Sequence, residues 1–279
     1  IVIKADGLAA GKGVVVANTL QEGLTALEDC LVNKKFGTAG ETVLIEEYLS
    51  GEELSVFAFV DGIHVSSLVA ACDYKRIYDG NSGPNTGGMG SLTPPHFWDK
   101  DLENTVASDI MMPVAKYMSD MGNPYRGILY AGIMLTKSGP VVYEFNCRFG
   151  DPEAQVILPR LKTDMAVVMM AVAQKKLDST QVQWSEDAAV CVVVASQGYP
   201  ENYNTGCEIM GLDDPGHSLV FHSGTGKNSE GKYITDGGRV LSVVSIDNSV
   251  AEARLKTYES LNTIKFEGSF HRSDIALNK

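Results

Sequence analysis

The sequence predicts an α+β fold that ends in a separate, smaller β-rich domain. Apolar runs of strand length recur along the chain, for example at residues 54–60 and 188–195. Capping patterns that begin at Thr19 and Ser249 place helices among these strands. From about Trp184 onward, short strands alternate with Gly-rich turns, which marks the start of the β-rich part.

Composition narrows the classes of function. The chain has 279 residues, 44% hydrophobic and 21% charged, which is enough for two domains. A net charge of -12 argues against a nucleic-acid partner but leaves nucleotides open, because glycine loops and a few local cations can hold them. The apolar runs are too short to span a membrane, and five cysteines without a CxxC pair are typical of a reduced, cytoplasmic protein.

The chain opens with a strand, a Gly-rich loop and a second strand. The loop brings Gly7, Gly11 and Gly13 together with the cations Lys4 and Lys12, as a phosphate cradle requires. It is not a Walker A loop, because only three residues separate the first two glycines and a glycine replaces the Ser or Thr that would hold Mg²⁺. The alternative is a plain glycine hairpin. Because Ile1 already reads as the middle of a strand, we expect that the natural protein has a preceding segment.

The helices are predicted from apolar stripes at helical spacing. The helix after Thr19 has a stripe that we expect in the core: Leu20, Leu24, Leu27 and Leu31. The helix over residues 102–121, interrupted or kinked near Pro113, has another: Val106, Ile110, Val114 and Tyr117. The helix over 163–176 is apolar nearly all round, which predicts burial and places three methionines in the core: Met165, Met169 and Met170.

Acidic residues stand at the ends of two strands in the first quarter of the chain. The strand over 42–49 carries Glu46 and Glu47, and Glu53 precedes the strand over 54–60. An extended segment of this kind could offer backbone groups to adenine, and Glu53 could accept hydrogen bonds from ribose hydroxyls. The alternative is a solvated strand end for at least one of these acids.

A long Gly/Asn/Pro loop follows the cations Lys75 and Arg76. Loops of this length in compact domains are usually functional or disordered. Its last part, NTGGMG at residues 85–90, could close over an anionic substrate. The alternative is a mobile surface loop.

Residues 141–146 are predicted to form the second strand of a hairpin that turns at 137–140. Strand alternation places Glu144 and Asn146 on one face, and three apolar side chains on the other, which we expect in the core: Val141, Tyr143 and Phe145. A carboxylate and an amide oxygen two residues apart suit Mg²⁺, although the same pair also occurs by chance. The chain then turns through RFGDPEAQ at 148–155, which crowds a guanidinium and two carboxylates onto one bend.

Three motifs in this order resemble the glycinamide ribonucleotide synthetases of the ATP-grasp superfamily. They are KADGLAAGKG at 4–13, NTGGMG at 85–90 and RFGDPEAQ at 148–155. Residues 237–240 and 266–275 resemble the C-terminal domain of the same family, so the resemblance covers the whole chain. It implies an ATP-grasp fold with a partial lid at 1–47, a catalytic body at 48–185 and a C-terminal domain at 186–279. The implied reaction joins glycine to 5-phosphoribosylamine while ATP becomes ADP and phosphate.

The resemblance also implies roles for individual residues. ATP would be bound by residues of the glycine loop, the adenine hinge and the ribose position: Lys4, Gly7, Gly11, Lys12, Gly13, Glu46, Glu47, Tyr48, Leu49 and Glu53. The Mg²⁺ or Mn²⁺ ligands would be Glu144 and Asn146. Substrates would contact Asn85, Thr86, Gly87, Gly88, Met89, Asp151 and Glu153. The candidate catalytic side chains are Arg148, Asp151 and Lys75.

Alternatives remain within and outside this family. The strand over 130–135 lacks the second metal carboxylate of many ATP-grasp enzymes, so the number of metal ions stays open. Another ATP-grasp carboxylate–amine ligase would share Glu144 and Asn146 but not the motif at 148–155, and an inactive nucleotide-binding module would share the fold. We expect little ligase activity from the 279 residues alone, and fusion to other purine-biosynthesis domains is compatible with the sequence.

Overall fold

A three-stranded antiparallel sheet forms the first of two units, Ile1–Gly51, into which the chain divides. The computed structural model describes residues 1–9 and 13–277. The sheet has the order β2-β1-β3 and is accompanied by one α-helix. The elements are β1 (Val2–Ala5), β2 (Val14–Val16), α1 (Leu20–Leu31), a 3₁₀ turn (Gly37–Gly40) and β3 (Val43–Glu46).

Helix α1 begins as predicted but buries a different face. Thr19 Oγ1 accepts the Glu22 amide at 3.2 Å, which confirms the predicted helix start. The predicted core stripe is wrong, because Leu20 is 76% exposed and the buried residues are small: Gly23, Ala26 and Cys30. A Cβ on Gly23 would lie 3.3 Å from the Ile1 side chain, so the helix packs through the face whose small side chains permit close approach.

The second unit, Glu52–Lys279, is organised around one antiparallel sheet of nine strands. Its order is β10-β9-β4-β5-β8-β11-β15-β12, and β16 pairs with β11. The strands are β4 (Glu52–Gly62), β5 (Val69–Asp73), β8 (Gly90–Thr93), β9 (Tyr125–Thr136), β10 (Gly139–Asn146), β11 (Ala188–Ser196), β12 (Leu219–His222), β15 (Arg239–Asp247) and β16 (Ser269–Phe270). Two small hairpins join β6 (Arg76–Tyr78) to β7 (Ser82–Asn85) and β13 (Thr225–Lys227) to β14 (Tyr233–Thr235).

Helices cover both faces of this sheet. They are α2 (Lys100–Val106), a π-helical turn (Ala107–Met111), α3 (Met112–Asp120), α4 (Glu153–Ile157), α5 (Met165–Gln174) and α6 (Val250–Leu261). Val56 and Val60 of β4 pack towards α2 and α3, while Phe57 and Phe59 pack towards α4 and α5. None of the helices in the described part of the chain combines the length and apolar character that crossing a membrane needs.

A π-helical turn, Ala107–Met111, interrupts the α-helix just before Pro113. The extra residue in that turn rotates the helix that follows, so Met111 and Ala115 become fully buried. The predicted stripe is therefore only half correct, because Val106 is buried whereas Tyr117 is 62% exposed.

Helix α5 buries only one face, so the prediction of a fully buried helix is wrong. Val168 and Val172 pack into the core, but Met169 and Met170 are 38% and 57% exposed. The two methionines are therefore not core residues. Because Gln174 at the end of α5 is its one polar residue, the sequence offers almost no contrast from which the outer face could be recognised.

Strand β10 forms the predicted hairpin with β9, but its apolar face is not a core face. Val141 and Phe145 are 36% and 43% exposed, because β10 is the edge strand of the sheet. A β-bulge also shifts the register between Val142 and Glu144, and Val142 packs against the helical side. The expected inward face of Val141, Tyr143 and Phe145 is therefore wrong.

Candidate functional site

In the first unit, two of the predicted ATP-binding residues form an ion pair. Lys4 Nζ of β1 lies 2.6 Å from Glu46 Oε2 of β3. The Lys4 side chain is only 14% exposed, so its ammonium is partly shielded and already has an anionic partner. Of the other predicted hinge residues, Glu47, Tyr48 and Leu49 follow β3 outside any strand, although the sequence predicts a strand to residue 49.

The glycine loop joins β1 to β2 as a hairpin. Ala5 N donates to Gly13 O at 2.8 Å, and Gly7 N donates to Ala39 O at 2.9 Å. A Cβ at Gly7 would lie 2.5 Å from Ala39 Cα, so this position requires glycine for close packing. The predicted residues Gly11 and Lys12 lie outside the described residues.

In the second unit, the predicted metal pair comes together. The Asn146 amide Nδ2 donates to Glu144 Oε1 at 3.1 Å, and Glu144 is exposed. The β-bulge before Glu144 places Tyr143 on the same side, where both side chains approach Gly132. Across the described residues, no group of three or more His, Cys, Asp or Glu side chains is arranged to hold a metal ion. Glu144 and Asn146 therefore offer an incomplete oxygen donor set, which suits an ion that keeps water or phosphate oxygens in its shell.

Lys75 occupies the centre of a charged group. Its Nζ lies 2.6 Å from Glu53 Oε2 and 3.4 Å from the Tyr143 hydroxyl. Burial would lower the pKa of Lys75, but the neighbouring Tyr143, Glu53 and Asp73 side chains outweigh burial and raise the pKa above its ordinary value. Lys75 is therefore a permanent cation, and Glu53, which we predict to bind ribose, is its counterion.

Two buried carboxyl groups lie behind this cation. Glu153 is 4% exposed and accepts from Ser55 Oγ at 3.0 Å, and Ser55 Oγ lies 3.1 Å from the Tyr130 hydroxyl. Asp73 Oδ1 is buried and has no hydrogen-bond partner among the described residues. Burial raises the pKa of both carboxyl groups, and the repulsion from Glu153 raises that of Asp73 further. The pair therefore holds a proton at higher pH than ordinary carboxylates do.

The motif at 148–155 places its charged groups in different surroundings. Arg148 is exposed and donates to the carbonyl oxygen of Phe149 at 2.8 Å. Asp151 accepts from Gln155 Nε2 at 2.8 Å and from Arg239 Nη2 at 2.6 Å. Arg148 thus keeps a guanidinium available at the surface, whereas both oxygens of Asp151 already have donors.

The loop at 85–90 is built into the fold. Thr86 Oγ1 donates to Lys75 O at 2.8 Å and accepts from Gly88 N at 3.0 Å, and Met89 is fully buried. Gly88 has φ +108°, a conformation that favours glycine. Asn85 ends β7 and is exposed. The loop is therefore anchored to the residues beside Lys75, and the alternative of a mobile surface loop does not describe this packing.

Sequence reasoning missed several residues that surround these groups. Asp73 and Tyr143 were not recognised, although each stands within two residues of a predicted site residue. Arg239 and Tyr199 come from the C-terminal part of the chain, more than 100 positions from the residues at 87–88 that they contact. The Gly-Gly-Arg run at 237–239 is the one local signal, since paired glycines allow close backbone approach.

The chain matches two family models. Residues 1–154 match "Phosphoribosylglycinamide synthetase, ATP-grasp (A) domain", and residues 189–278 match "Phosphoribosylglycinamide synthetase, C domain". A phosphoribosylamine–glycine ligase of Caldanaerobacter subterraneus subsp. tengcongensis is 46% identical over 99% of the chain. The trifunctional purine biosynthetic protein adenosine-3 of Gallus gallus is 49% identical over 99% of the chain. The chain spans 66% of the first relative and 28% of the second.

A solved structure agrees with these matches over almost the whole chain. The phosphoribosylamine–glycine ligase of Thermotoga maritima superposes with a TM-score of 0.84 at 34% identity, covering 98% of this chain and 68% of that one. The fold is therefore an ATP-grasp fold of the α+β class, as predicted. Because one family model matches more than half of this chain's residues, the chain belongs to the phosphoribosylglycinamide synthetase family and carries the ATP-grasp (A) and C domains of that family.

Proposed function

We propose that the protein containing these residues ligates glycine to 5-phosphoribosylamine, with ATP going to ADP and phosphate. The observation that carries this proposal is the pair of consecutive family matches, together with relatives named phosphoribosylamine–glycine ligase at 46% identity over 99% of the chain. The product would be glycinamide ribonucleotide, an intermediate of purine synthesis.

The reaction proceeds in two steps. A carboxylate oxygen of glycine attacks the γ-phosphorus of ATP, and ADP leaves, which gives glycyl phosphate. The amine nitrogen of phosphoribosylamine then attacks the carbonyl carbon, phosphate leaves and the amine loses a proton. The protein mainly positions groups and balances charge in such transfers. Arg148 supplies an exposed guanidinium for the phosphoryl group, and Lys75 is a permanent cation in the same unit of the chain.

The amine-bearing substrates need anionic partners. We assign this role to Asp151 and Glu153, and place residues 85–89 against the same substrates. Glu153 has one oxygen on Ser55, and Asp151 shares its oxygens with Arg239 and Gln155. These existing bonds fix the orientation of both carboxyl groups before substrate binds.

The metal would be held by Glu144 and Asn146. A divalent cation such as Mg²⁺ or Mn²⁺ neutralises phosphate oxygens during phosphoryl transfer. The donor set fits, because a carboxylate and an amide meet at an exposed strand end, and half a turn of the Asn146 amide points its oxygen beside Glu144 Oε1.

ATP would be held by residues of the glycine loop, the adenine hinge and the ribose position. Lys4, Gly7 and Gly13, with Gly11 and Lys12, would contact phosphates. The segment 46–49 would contact adenine, and Glu53 would contact the ribose.

We further propose that the chain divides into domains at 1–47, 48–185 and 186–279, and that the protein is cytoplasmic. The trifunctional chicken relative supports the proposal that such domains occur fused to other purine-biosynthesis domains.

The test is a substrate-dependence assay on the full reading frame that encodes these residues. Purified protein is given ATP, Mg²⁺ and glycine, with or without phosphoribosylamine, and ADP and glycinamide ribonucleotide are measured. The proposal expects product only when both amine substrates are present. Turnover with a different acid in place of glycine would assign the protein to another ATP-grasp ligase, and ATP binding without turnover would identify an inactive module.

A further inference from the structure

One arginine of the C domain joins the two segments that we assign to the amine-bearing substrates. Arg239 Nη2 lies 2.6 Å from Asp151 Oδ2, and Nη1 lies 3.3 Å from Asp151 Oδ1. The same Nη1 donates to Gly87 O at 2.7 Å and lies 3.3 Å from Gly88 O. One guanidinium thus fixes a carboxylate in a forked contact and two carbonyl groups of a different loop.

A second side chain of the C domain binds the backbone N–H of Gly87. The Tyr199 hydroxyl accepts from Gly87 N at 3.0 Å, so both the N–H and the C=O of Gly87 are fixed by residues more than 100 positions away. A Cβ at Gly87 would lie 3.0 Å from Arg239 Cζ. Glycine therefore lets the backbone pass directly beside the guanidinium.

We propose that Arg239 is a positioning residue, which holds Asp151 and the carbonyl groups of Gly87 and Gly88 in the one arrangement that binds the amine-bearing substrates. This inference rests on the proposed function, because that function makes the two segments a substrate site. Arg239 extends the substrate site into the C domain, to which the proposed function assigns no role in substrate binding.

The chemistry favours arginine at this position. A guanidinium presents five N–H donors in a rigid plane, so it can serve a carboxylate and carbonyl oxygens together. A lysine would keep the charge but lose the fork, and a glutamine would lose both. The Arg239 side chain is 20% exposed, which limits competition from water for these bonds.

The experiment compares Arg239→Gln and Arg239→Lys with Arg254→Gln. Arg254 is a matched control, because it also lies in the C domain and donates to carbonyl groups, those of Ile275 and Ser273, at 2.8 and 2.7 Å. The full reading frame is assayed for KM and kcat with each substrate, and amide hydrogen exchange is followed at residues 86–89. Arg239→Lys supplies the result if the glutamine variant does not fold.

For Arg239→Gln we expect the KM of glycine or of phosphoribosylamine to rise roughly ten- to a hundredfold, while the KM of ATP changes by less than about twofold. We expect faster exchange at residues 86–89 in the Arg239 variants and not in Arg254→Gln. Combining Arg239→Gln with Asp151→Asn should add little to Asp151→Asn alone, because the arginine acts through that carboxylate.

Two results would overturn the inference. Unchanged exchange at residues 86–89 would show that Arg239 does not position the loop, whatever reaction the protein catalyses. An equal rise in the KM of ATP and of the amine substrates would indicate a general structural defect. A wild-type protein without glycine-dependent turnover would instead refute the proposed function, and the exchange result would still decide whether Arg239 orders the loop.

Discussion

Asn146 donates its side-chain amide to Glu144 at 3.1 Å, directly after the β-bulge that interrupts β10. Because the bulge precedes both residues, it changes the surroundings of the pair without separating them. The bulge places Tyr143 on the same side of the strand as Glu144, and the Tyr143 hydroxyl lies 3.4 Å from Lys75 Nζ. The candidate metal pair is thereby linked to the charged group around Lys75 through one intervening tyrosine.

The first prediction concerns Glu144→Gln. This change removes a charge from the candidate metal ligand while it keeps the side-chain shape and an oxygen that Asn146 can reach. We expect turnover to fall on the order of a hundredfold and the Mg²⁺ concentration for half-maximal activity to rise. The free energy of unfolding should change by less than about 0.5 kcal/mol, because Glu144 is exposed. Magnesium titrations and urea unfolding measure the two effects.

The control for Glu144→Gln is Glu259→Gln, which alters an exposed acid on α6. It should leave both the metal dependence and the stability unchanged. If Glu144→Gln retained the wild-type dependence on Mg²⁺, the assignment of Glu144 as a ligand would be wrong.

The second prediction concerns Lys4→Met in the first unit. The Lys4 ammonium is 14% exposed and paired with Glu46, so the change removes a partly shielded cation and leaves that acid unpaired. We expect the KM of ATP to rise about tenfold or more and the stability to fall by about 1 kcal/mol. Lys35→Met is the matched control, since Lys35 pairs with Asp29 at the surface and is 60% exposed. Equal effects of the two changes on the KM of ATP would contradict a role of Lys4 in binding phosphate.

The third prediction tests the orientation of α5. Val168 is fully buried, whereas Met170 is 57% exposed. Val168→Ala should lower the free energy of unfolding by about 1–2 kcal/mol, because it removes buried methyl groups. Met170→Gln should change it by less than about 0.5 kcal/mol. Urea unfolding of both variants measures the difference. A large loss in Met170→Gln would mean that the methionine is buried in the protein as it exists in solution.

The sequence predicted those features whose signals are local. The β9–β10 hairpin, the strands of the C-terminal part and the start of α1 depend on short patterns of turn, strand and capping residues, and they are confirmed. The face that each element buries depends on its neighbours. Phe145 is exposed because β10 is the edge strand, and Leu20 is exposed because α1 packs through its small residues.

The candidate site shows the same division between local and long-range information. Glu144 and Asn146 share a face because they stand two residues apart on a strand, so their proximity could be predicted. Arg239 reaches Asp151 across 88 positions, and a single amino-acid sequence holds no local signal of that pairing. The buried state of Asp73 was equally hidden, since it depends on the packing of Gly88 and Pro152 beside it.

The last prediction concerns the stability of Asp73→Asn as a function of pH. Burial and the charge of Glu153 raise the pKa of Asp73 in the folded protein well above its ordinary value of 3.8. A carboxyl group whose pKa is higher in the folded than in the unfolded protein opposes folding once the pH exceeds the ordinary pKa, because the unfolded chain then loses that proton first. The asparagine removes this penalty, so the variant should be more stable than the wild type by roughly 1–3 kcal/mol at pH 7, and the difference should disappear towards pH 4.

Urea unfolding between pH 4 and pH 8 measures this difference in the free energy of unfolding. The control is Asp236→Asn, which changes an exposed acid and should show no such trend. A stability difference that grew as the pH fell would mean that Asp73 is stabilised as a carboxylate by the Lys75 ammonium, and would contradict the raised pKa.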